Sequence, residues 1–164
     1  MPKREDFKIV ELAERRFKIG RFDALTGSYI AVKLVSKLSN VFMAITTGQV
    51  TDMNFAALAV AQQIADMSKI EFIELQLECL RVIKEIQNID GKAEADLPVL
   101  ASSGSFAVPG LNEDMITVLA LVTHTVIFNL TPFFVGNALT STIQTFKDLS
   151  LFDAKTSTSS PTGQ

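Results

Sequence analysis

The fold is indicated most clearly by residues Ser68–Gly91, which read SKIEFIELQLECLRVIKEIQNIDG. Ser68 and Glu71 have the spacing of a capping box, in which a hydroxyl and a carboxylate each bind a free backbone N–H group at a helix start. With helical spacing, the apolar residues share one face: Phe72, Leu75, Cys79, Val82, Ile83 and Ile86. The opposite face is charged: Glu71, Glu74, Glu78, Arg81 and Glu85. The segment therefore predicts one amphipathic helix that packs on a core and ends at Asn88–Gly91.

Four further helices follow from the same kind of spacing, so the predicted fold is mainly α, a helical domain of about five helices. They cover Ala24–Ile45, Asn54–Met67, Asn112–Phe128 and Pro132–Asp148. Asp23 is the predicted N-cap of the first of them. The last two are predicted to be separated at Asn129, because Thr131 can cap a helix whose first position is Pro132.

The segments outside the helices are short. Residues 7–22 alternate approximately between apolar and polar side chains and predict a β-hairpin with its turn near Ala13–Glu14. Residues 92–111 are a predicted connector, with room for a strand pair around Leu97–Leu100 and Ser105–Val108. The polar tail, residues 154–164, is predicted to be disordered. The expected organisation is one domain, residues 1–153, followed by this tail.

Composition excludes several classes of protein. Of the 164 residues, 48% are hydrophobic and 20% are charged, as in a globular domain. The formal net charge of -3 argues against nucleic acid as a partner, since backbone binding requires clustered Lys and Arg. The charged start MPKREDF predicts no signal peptide, and the single cysteine cannot form an internal disulfide. Met115–Val135 has the length of a membrane span, but its polar residues and Pro132 favour a buried helix followed by a turn.

Candidate catalytic and metal-binding residues are few. His124 lies in a hydrophobic segment and is interpreted as a buried histidine with a hydrogen-bond partner, not as a base. Cys79 lies on the apolar face defined above, which indicates a core thiol. Glu71, Glu74 and Glu78 lack the histidines that accompany glutamates in helix-bundle metal sites. The sequence therefore predicts a protein that is not an enzyme and that needs no metal and no cofactor.

The chain is more apolar than its size requires, with a mean hydropathy of +0.29. The surplus lies in Met115–Val122, Val126–Phe128, Phe133-Phe134 and the alanine-rich second helix. A tight core in a homo-oligomer would explain it, and so would a groove that binds a client protein. Composition does not separate these two explanations.

Three segments carry a family resemblance. The first is Phe17–Gly27 (FKIGRFDALTG), where a strand leads into a helix start, and the second is Glu71–Leu75 with Cys79-Leu80. The third is the apolar helix that closes on Phe128–Phe134 (FNLTPFF). Their order and spacing, over about residues 7–147, resemble the tail assembly chaperones of long-tailed, siphophage-type bacteriophages, especially those of Gram-positive hosts.

This resemblance implies a holdase that works in the host cytoplasm and is absent from the mature virion. It would keep the long, helical tape measure protein soluble while the tail tube assembles around it. A frameshift-extended form would recruit the tail tube protein, and self-association is expected. The expected protein-binding residues lie in the C-terminal apolar helices: Leu119, Val122, Val126, Phe133 and Phe134.

Two other functions remain open at this point. The chain could be a structural subunit of the phage tail or its connector, and would then be found in finished particles. It could also be a small membrane protein such as a holin, with spans at residues 115–135 and 132–147. The expectation is a chaperone with no membrane and no nucleic acid among its partners.

Overall fold

The computed structural model describes residues 5–49, 51–89, 91 and 93–134. Within these ranges the chain forms four α-helices, four β-strands and a short 3-10 turn at Leu111–Glu113. The elements in chain order are β1 (Phe7–Leu12), β2 (Arg15–Gly20), α1 (Ala24–Thr46), α2 (Met53–Ala65), α3 (Lys69–Arg81), β3 (Ile83–Ile89), β4 (Ala93–Pro98) and α4 (Met115–Phe134). The strands form one antiparallel sheet in the order β1-β2-β3-β4.

The prediction of a mainly α domain is wrong, because the sheet is a full layer of the fold and not a hairpin appended to helices. The error lies in the second half of Ser68–Gly91. α3 begins as predicted, with the complete capping box between Ser68 and Glu71. It ends at Arg81, however, and the chain continues from Ile83 as β3.

The change from helix to strand has a local and a tertiary cause. Val82, Ile83 and Ile86 are β-branched and favour a pleated strand. The backbone of β3 then pairs with β2 on one side and with β4 on the other. Gly20 N donates to Val82 O at 2.8 Å, and a Cβ atom on residue 20 would lie only 3.0 Å from that oxygen. A glycine at the end of β2 therefore permits the close approach at which the strand begins.

The N-terminal hairpin is confirmed. β1 and β2 pair from Phe7 opposite Gly20 to Leu12 opposite Arg15, and Ala13-Glu14 forms the two-residue turn. Both turn residues have positive φ angles, 50° and 60°, as the turns that match the twist of a hairpin require. The strand pair expected in the connector is reduced to one bridge, between Leu100 and Phe106.

The first two predicted helices are confirmed as α1 and α2, with ends shifted by at most two residues. Asp23 is the cap of α1, since its Oδ1 accepts hydrogen bonds from Leu25 N and Thr26 N at 3.0 Å each. The break expected at Asn129 is wrong, because α4 is continuous to Phe134. The rest of the predicted last helix, to Asp148, and the predicted tail lie outside the described residues.

Two clusters of buried side chains form the core, and α4 contributes to both. One cluster joins the helices and consists of Ile30, Ala31, Leu34, Leu38, Val60, Ile64, Leu75, Cys79, Val122, Val126, Ile127 and Leu130. The other joins α4 and the end of α3 to the sheet and the connector and consists of Val10, Phe17, Ile19, Leu80, Ile83, Val99, Leu100, Val108, Leu111, Leu121 and Phe128. α4 is therefore apolar on two faces because it lies between two layers.

Candidate protein-interaction site

The segment between β2 and α1 holds the C-terminal half of α4. Phe22 N donates to Asn129 Oδ1 at 2.9 Å, and Asn129 Nδ2 donates to Gly20 O at 3.1 Å. The Arg21 guanidinium donates to Phe128 O and lies 3.6 Å from the centroid of the Phe128 ring. The contact thus joins the first and third segments that carry the family resemblance.

The same contact explains why Pro132 does not end the helix. A proline has no N–H group, so the carbonyl four residues earlier loses its helical hydrogen bond. That carbonyl belongs to Phe128, and Arg21 donates to it instead. A side chain 107 positions away in the sequence therefore replaces the missing donor, which the local sequence of α4 does not reveal.

The expected binding residues of α4 have different environments. Val122 and Val126 are fully buried between the helices, whereas Leu119 is 40% exposed. In the first turn of the helix, Met115 is 80% and Ile116 is 75% exposed. Phe133 and Phe134 end the helix, but their side chains lie outside the described part of the chain. Of the five residues, Leu119 is therefore the one that the structure places at the surface of the described chain.

The length and composition of α4 alone would also allow it to cross a membrane. The window Met115–Pro132 has a mean hydropathy of 1.6 over 18 residues, and 56% of it is buried inside the fold. Core helices pass the same test, and the buried side chains of α4 belong to both clusters of the core.

A second exposed apolar surface lies on α1 and was missed in the sequence analysis. Leu25, Tyr29 and Val32 are 83%, 54% and 65% exposed and follow one another at i, i+4 and i+7. We call these three residues the α1 stripe. The opposite side of the helix carries Ile30 and Leu34 into the core. Apolar residues on both sides of one helix were the signal that could have revealed this surface.

The two side chains considered for catalysis, Cys79 and His124, are fully and partly buried. Cys79 is fully buried, and burial raises the pKa of its thiol far above the ordinary value. Burial, and secondarily Lys8, lower the pKa of His124. His124 Nδ1 is buried and has no hydrogen-bond partner among the described residues, so the expected hydrogen bond is not made at this atom.

The acidic residues of α3 are also accounted for structurally. Glu71 accepts hydrogen bonds from the hydroxyl and backbone of Ser68, which lower its pKa, and it lies 3.7 Å from Lys33 Nζ of α1. Within the described ranges, no group of three or more His, Cys, Asp or Glu side chains is arranged to hold a metal ion.

The environment of Glu85 differs from the one that the predicted helix over Ser68–Gly91 implied. Glu85 was predicted to lie on the charged face of a helix, but in β3 it is buried at 5% exposure. Arg15 Nε lies 2.6 Å from its Oε1, and Gln87 Nε2 donates to its Oε2 at 2.7 Å. Burial raises the pKa of Glu85, but these hydrogen bonds outweigh burial and the pKa lies below the ordinary value. The ion pair joins β2 to β3.

The geometry therefore defines a small protein of mixed α and β structure whose candidate site is an apolar surface for another protein. Comparison with family models specifies the class further: the model described as phage tail assembly chaperone protein, TAC, matches residues 13–141. The chain belongs to this family of phage tail assembly chaperones. No curated protein and no solved structure matches the chain.

Membership of this family implies a general function. The chain has a chaperone role in the assembly of phage tails, in a family that is generally non-enzymatic and that binds tail proteins. The matched range begins in the hairpin turn and includes all four helices, so it covers both the contact around Asn129 and the α1 stripe.

Proposed function

We propose that the chain is a stoichiometric holdase for the tape measure protein and that its helical apolar surface binds this client. The observation that carries the proposal is the α1 stripe, together with membership of the tail assembly chaperone family. The stripe has the i, i+4, i+7 spacing with which one helix receives the apolar face of another. A long helical protein that must be kept from aggregating presents such faces repeatedly.

The exposed start of α4 extends the proposed surface. Met115, Ile116 and Leu119 are exposed large apolar residues on adjacent positions of one helix. Val122 and Val126 contribute by anchoring that helix in the core, and Phe133 with Phe134 remain part of the proposed surface at its other end. Large exposed apolar patches on a small domain mark sites of interaction with other proteins.

Co-expression with the tape measure protein of the same phage tests the proposal. The soluble fraction of the client is measured with the wild-type chain, with Tyr29→Asp/Val32→Asp, and with Phe133→Asp/Phe134→Asp. We expect the wild type to keep the client soluble and to elute with it, and the α1 variant to lose both effects. Ile89→Asp is the matched control, because Ile89 is 53% exposed but lies on the sheet. Client solubility that is the same with and without the chain would contradict the proposal.

The place of action is part of the same proposal: the chain works in the host cytoplasm and does not remain in the virion. Mass spectrometry of purified particles measures this directly. A stoichiometric amount of the chain in finished particles, with no effect on client solubility, would favour the structural tail or connector subunit instead. A longer, frameshifted product that binds the tail tube protein would be seen as a second band with the same N-terminus.

A further inference from the structure

The two edges of the sheet differ in how their free backbone groups are protected. Gly20 N bonds to Val82 O, so the even-numbered residues of β2 direct their backbone groups to β3, and the odd-numbered ones direct theirs to β1. In the register of the hairpin, these odd-numbered residues of β2 stand opposite Lys8, Val10 and Leu12. The backbone N–H and C=O groups of the remaining β1 residues therefore point away from the sheet: Phe7, Ile9 and Glu11.

The other edge, β4, carries protective residues at the corresponding positions. Val99 N donates to Ile83 O at 3.0 Å, so the outward backbone groups of β4 belong to Glu94, Asp96 and Pro98. Two of these residues are acidic, and the third has no N–H group to offer. Charge and proline are the means by which natural sheets prevent a further strand from pairing at an edge.

Among the described residues, the apolar end of β1 has no such protection. Its sequence FKIVEL contains no proline, and two of the three outward residues, Phe7 and Ile9, are apolar and 46% exposed. An edge strand with free backbone groups and apolar side chains is a template for another strand. The asymmetry between the two edges indicates that pairing is prevented at β4 and permitted at β1.

We propose that β1 pairs with β1 of a second copy of this chain, antiparallel and with Ile9 opposite Ile9. Phe7, Ile9 and Glu11 are the residues of β1 whose backbone groups point outward, and this register pairs all three, with Phe7 of each copy opposite Glu11 of the other. The two four-stranded sheets then form one continuous sheet. Registers centred elsewhere leave some of these groups unpaired.

The side chains on the outer face of the sheet fit this two-fold arrangement. Ile9 meets Ile9 at the axis, which removes an exposed apolar side chain of each copy from water. Glu11 of one copy comes beside Phe7 of the other, where Lys18 Nζ lies 4.4 Å from the ring centroid. Lys18 Nζ donates to Asp96 Oδ2 at 3.0 Å and, as an ammonium group, has further donors. Among the described residues no ion pair uses Glu11, so its carboxylate can accept from one of them. The complementarity is with the chain itself, which is why a second copy is the proposed occupant.

A cysteine at the axis tests both the dimer and its register. Ile9→Cys should form an intermolecular disulfide with oxidised glutathione, because directly opposed residues of this kind are about 5.5 Å apart between Cα atoms. Glu11→Cys is the matched control, since its equivalent in the second copy is displaced along the strand. Cys79 is buried and does not interfere. Crosslinking by Glu11→Cys and not by Ile9→Cys, or by neither, would overturn the proposal.

A pair of proline variants tests the backbone pairing at each edge in the uncrosslinked protein. Ile9→Pro removes an outward N–H group that the monomer does not use, and should weaken the dimer at least about tenfold in sedimentation experiments. Asp96→Pro removes an outward N–H group at the other edge and should leave the dimer unchanged. The proposal is rejected if the wild type sediments as a monomer, or if the dimer survives Ile9→Pro. Since the client plays no part in these measurements, the result is independent of the proposed holdase function.

Discussion

The two ends of α4 are similarly apolar in sequence but lie in opposite environments. Near the C-terminal end, Val126 and Leu130 are completely buried and Arg21 lies against the helix. In the first turn, Met115 and Ile116 are largely exposed. Hydrophobicity along a helix thus indicates that a surface needs to be covered, but not whether the chain itself or a partner covers it. Four predictions test this contrast, from the largest expected effect to the smallest.

A Leu→Ala substitution should lower the free energy of unfolding much more at the C-terminal end of α4 than near its first turn. Leu130→Ala removes a fully buried side chain and should lower the free energy of unfolding by about 2–5 kcal/mol. Leu119→Ala, at a position that is 40% exposed, should cost less than about 1 kcal/mol. Urea denaturation followed by circular dichroism measures both. Equal losses in the free energy of unfolding would mean that both ends of α4 are equally buried in solution, which would contradict the difference between them.

Asn129 should account for much of the attachment of the C-terminal end. Asn129→Ala removes its hydrogen bonds to Phe22 N and Gly20 O and leaves these backbone groups unpaired. We expect a loss of about 1–3 kcal/mol in the free energy of unfolding. Asn112→Ala, at an exposed position before α4, serves as the control and should stay within about 0.5 kcal/mol of wild type. A neutral Asn129→Ala would show that apolar packing alone fixes this end.

Arg21 and Pro132 should be energetically coupled. Pro132→Ala restores a backbone donor for Phe128 O, so Arg21→Met should cost less in that background than in the wild type. The expected coupling free energy is about 0.5–2 kcal/mol in a double-mutant cycle of urea denaturation. Strict additivity would mean that the hydrogen bond from Arg21 to Phe128 O does not compensate for the missing N–H group of Pro132.

The pH dependence of stability should report on His124, in the middle of α4. Its pKa is lowered in the fold, so the unfolded chain binds this proton at a higher pH than the folded chain does. Stability should therefore begin to fall as the pH drops below about 6.5 and stop falling once the pH is below the folded-state pKa. His124→Gln should show no change in this window. Thermal melts between pH 5 and pH 7.5 measure how stability changes with pH. If stability falls equally in the variant and in the wild type, groups other than His124 cause the change.

The carboxylates affect stability over a lower pH range than His124 does. The pKa values of Glu85 and Asp114 are lowered, so their contributions are present near neutrality and are lost only below about pH 4.5. The contributions of these two carboxylates therefore change little above pH 5, where the effect of His124 is measured.

Local patterns were sufficient for most of the elements. The hairpin, the Asp23 cap, α1, α2 and the start of α3 were predicted because each depends on turn chemistry, capping or spacing within a few residues. The family was recognised from three segments, of which the structure brings the first and third together at Phe22 and Asn129. The client-binding residues, the host type and the organisation of residues 135–164 remain predictions.

Two features of the fold, the strand after Arg81 and the continuation of α4 through Pro132, depend on tertiary contacts. Residues after Arg81 suit either a helix face or a strand by their apolar spacing, and the strands available on both sides determined the outcome. Pro132 predicts a helix boundary from the sequence. It lies inside α4 instead, because Arg21 donates to the Phe128 carbonyl that Pro132 leaves without a helical donor. The sequence by itself determined which groups needed a partner, because that follows from chemistry along the chain. Which distant group became the partner, for β3, for Phe128 O and for the two faces of α4, was decided by the fold, since only folding brings such groups within reach.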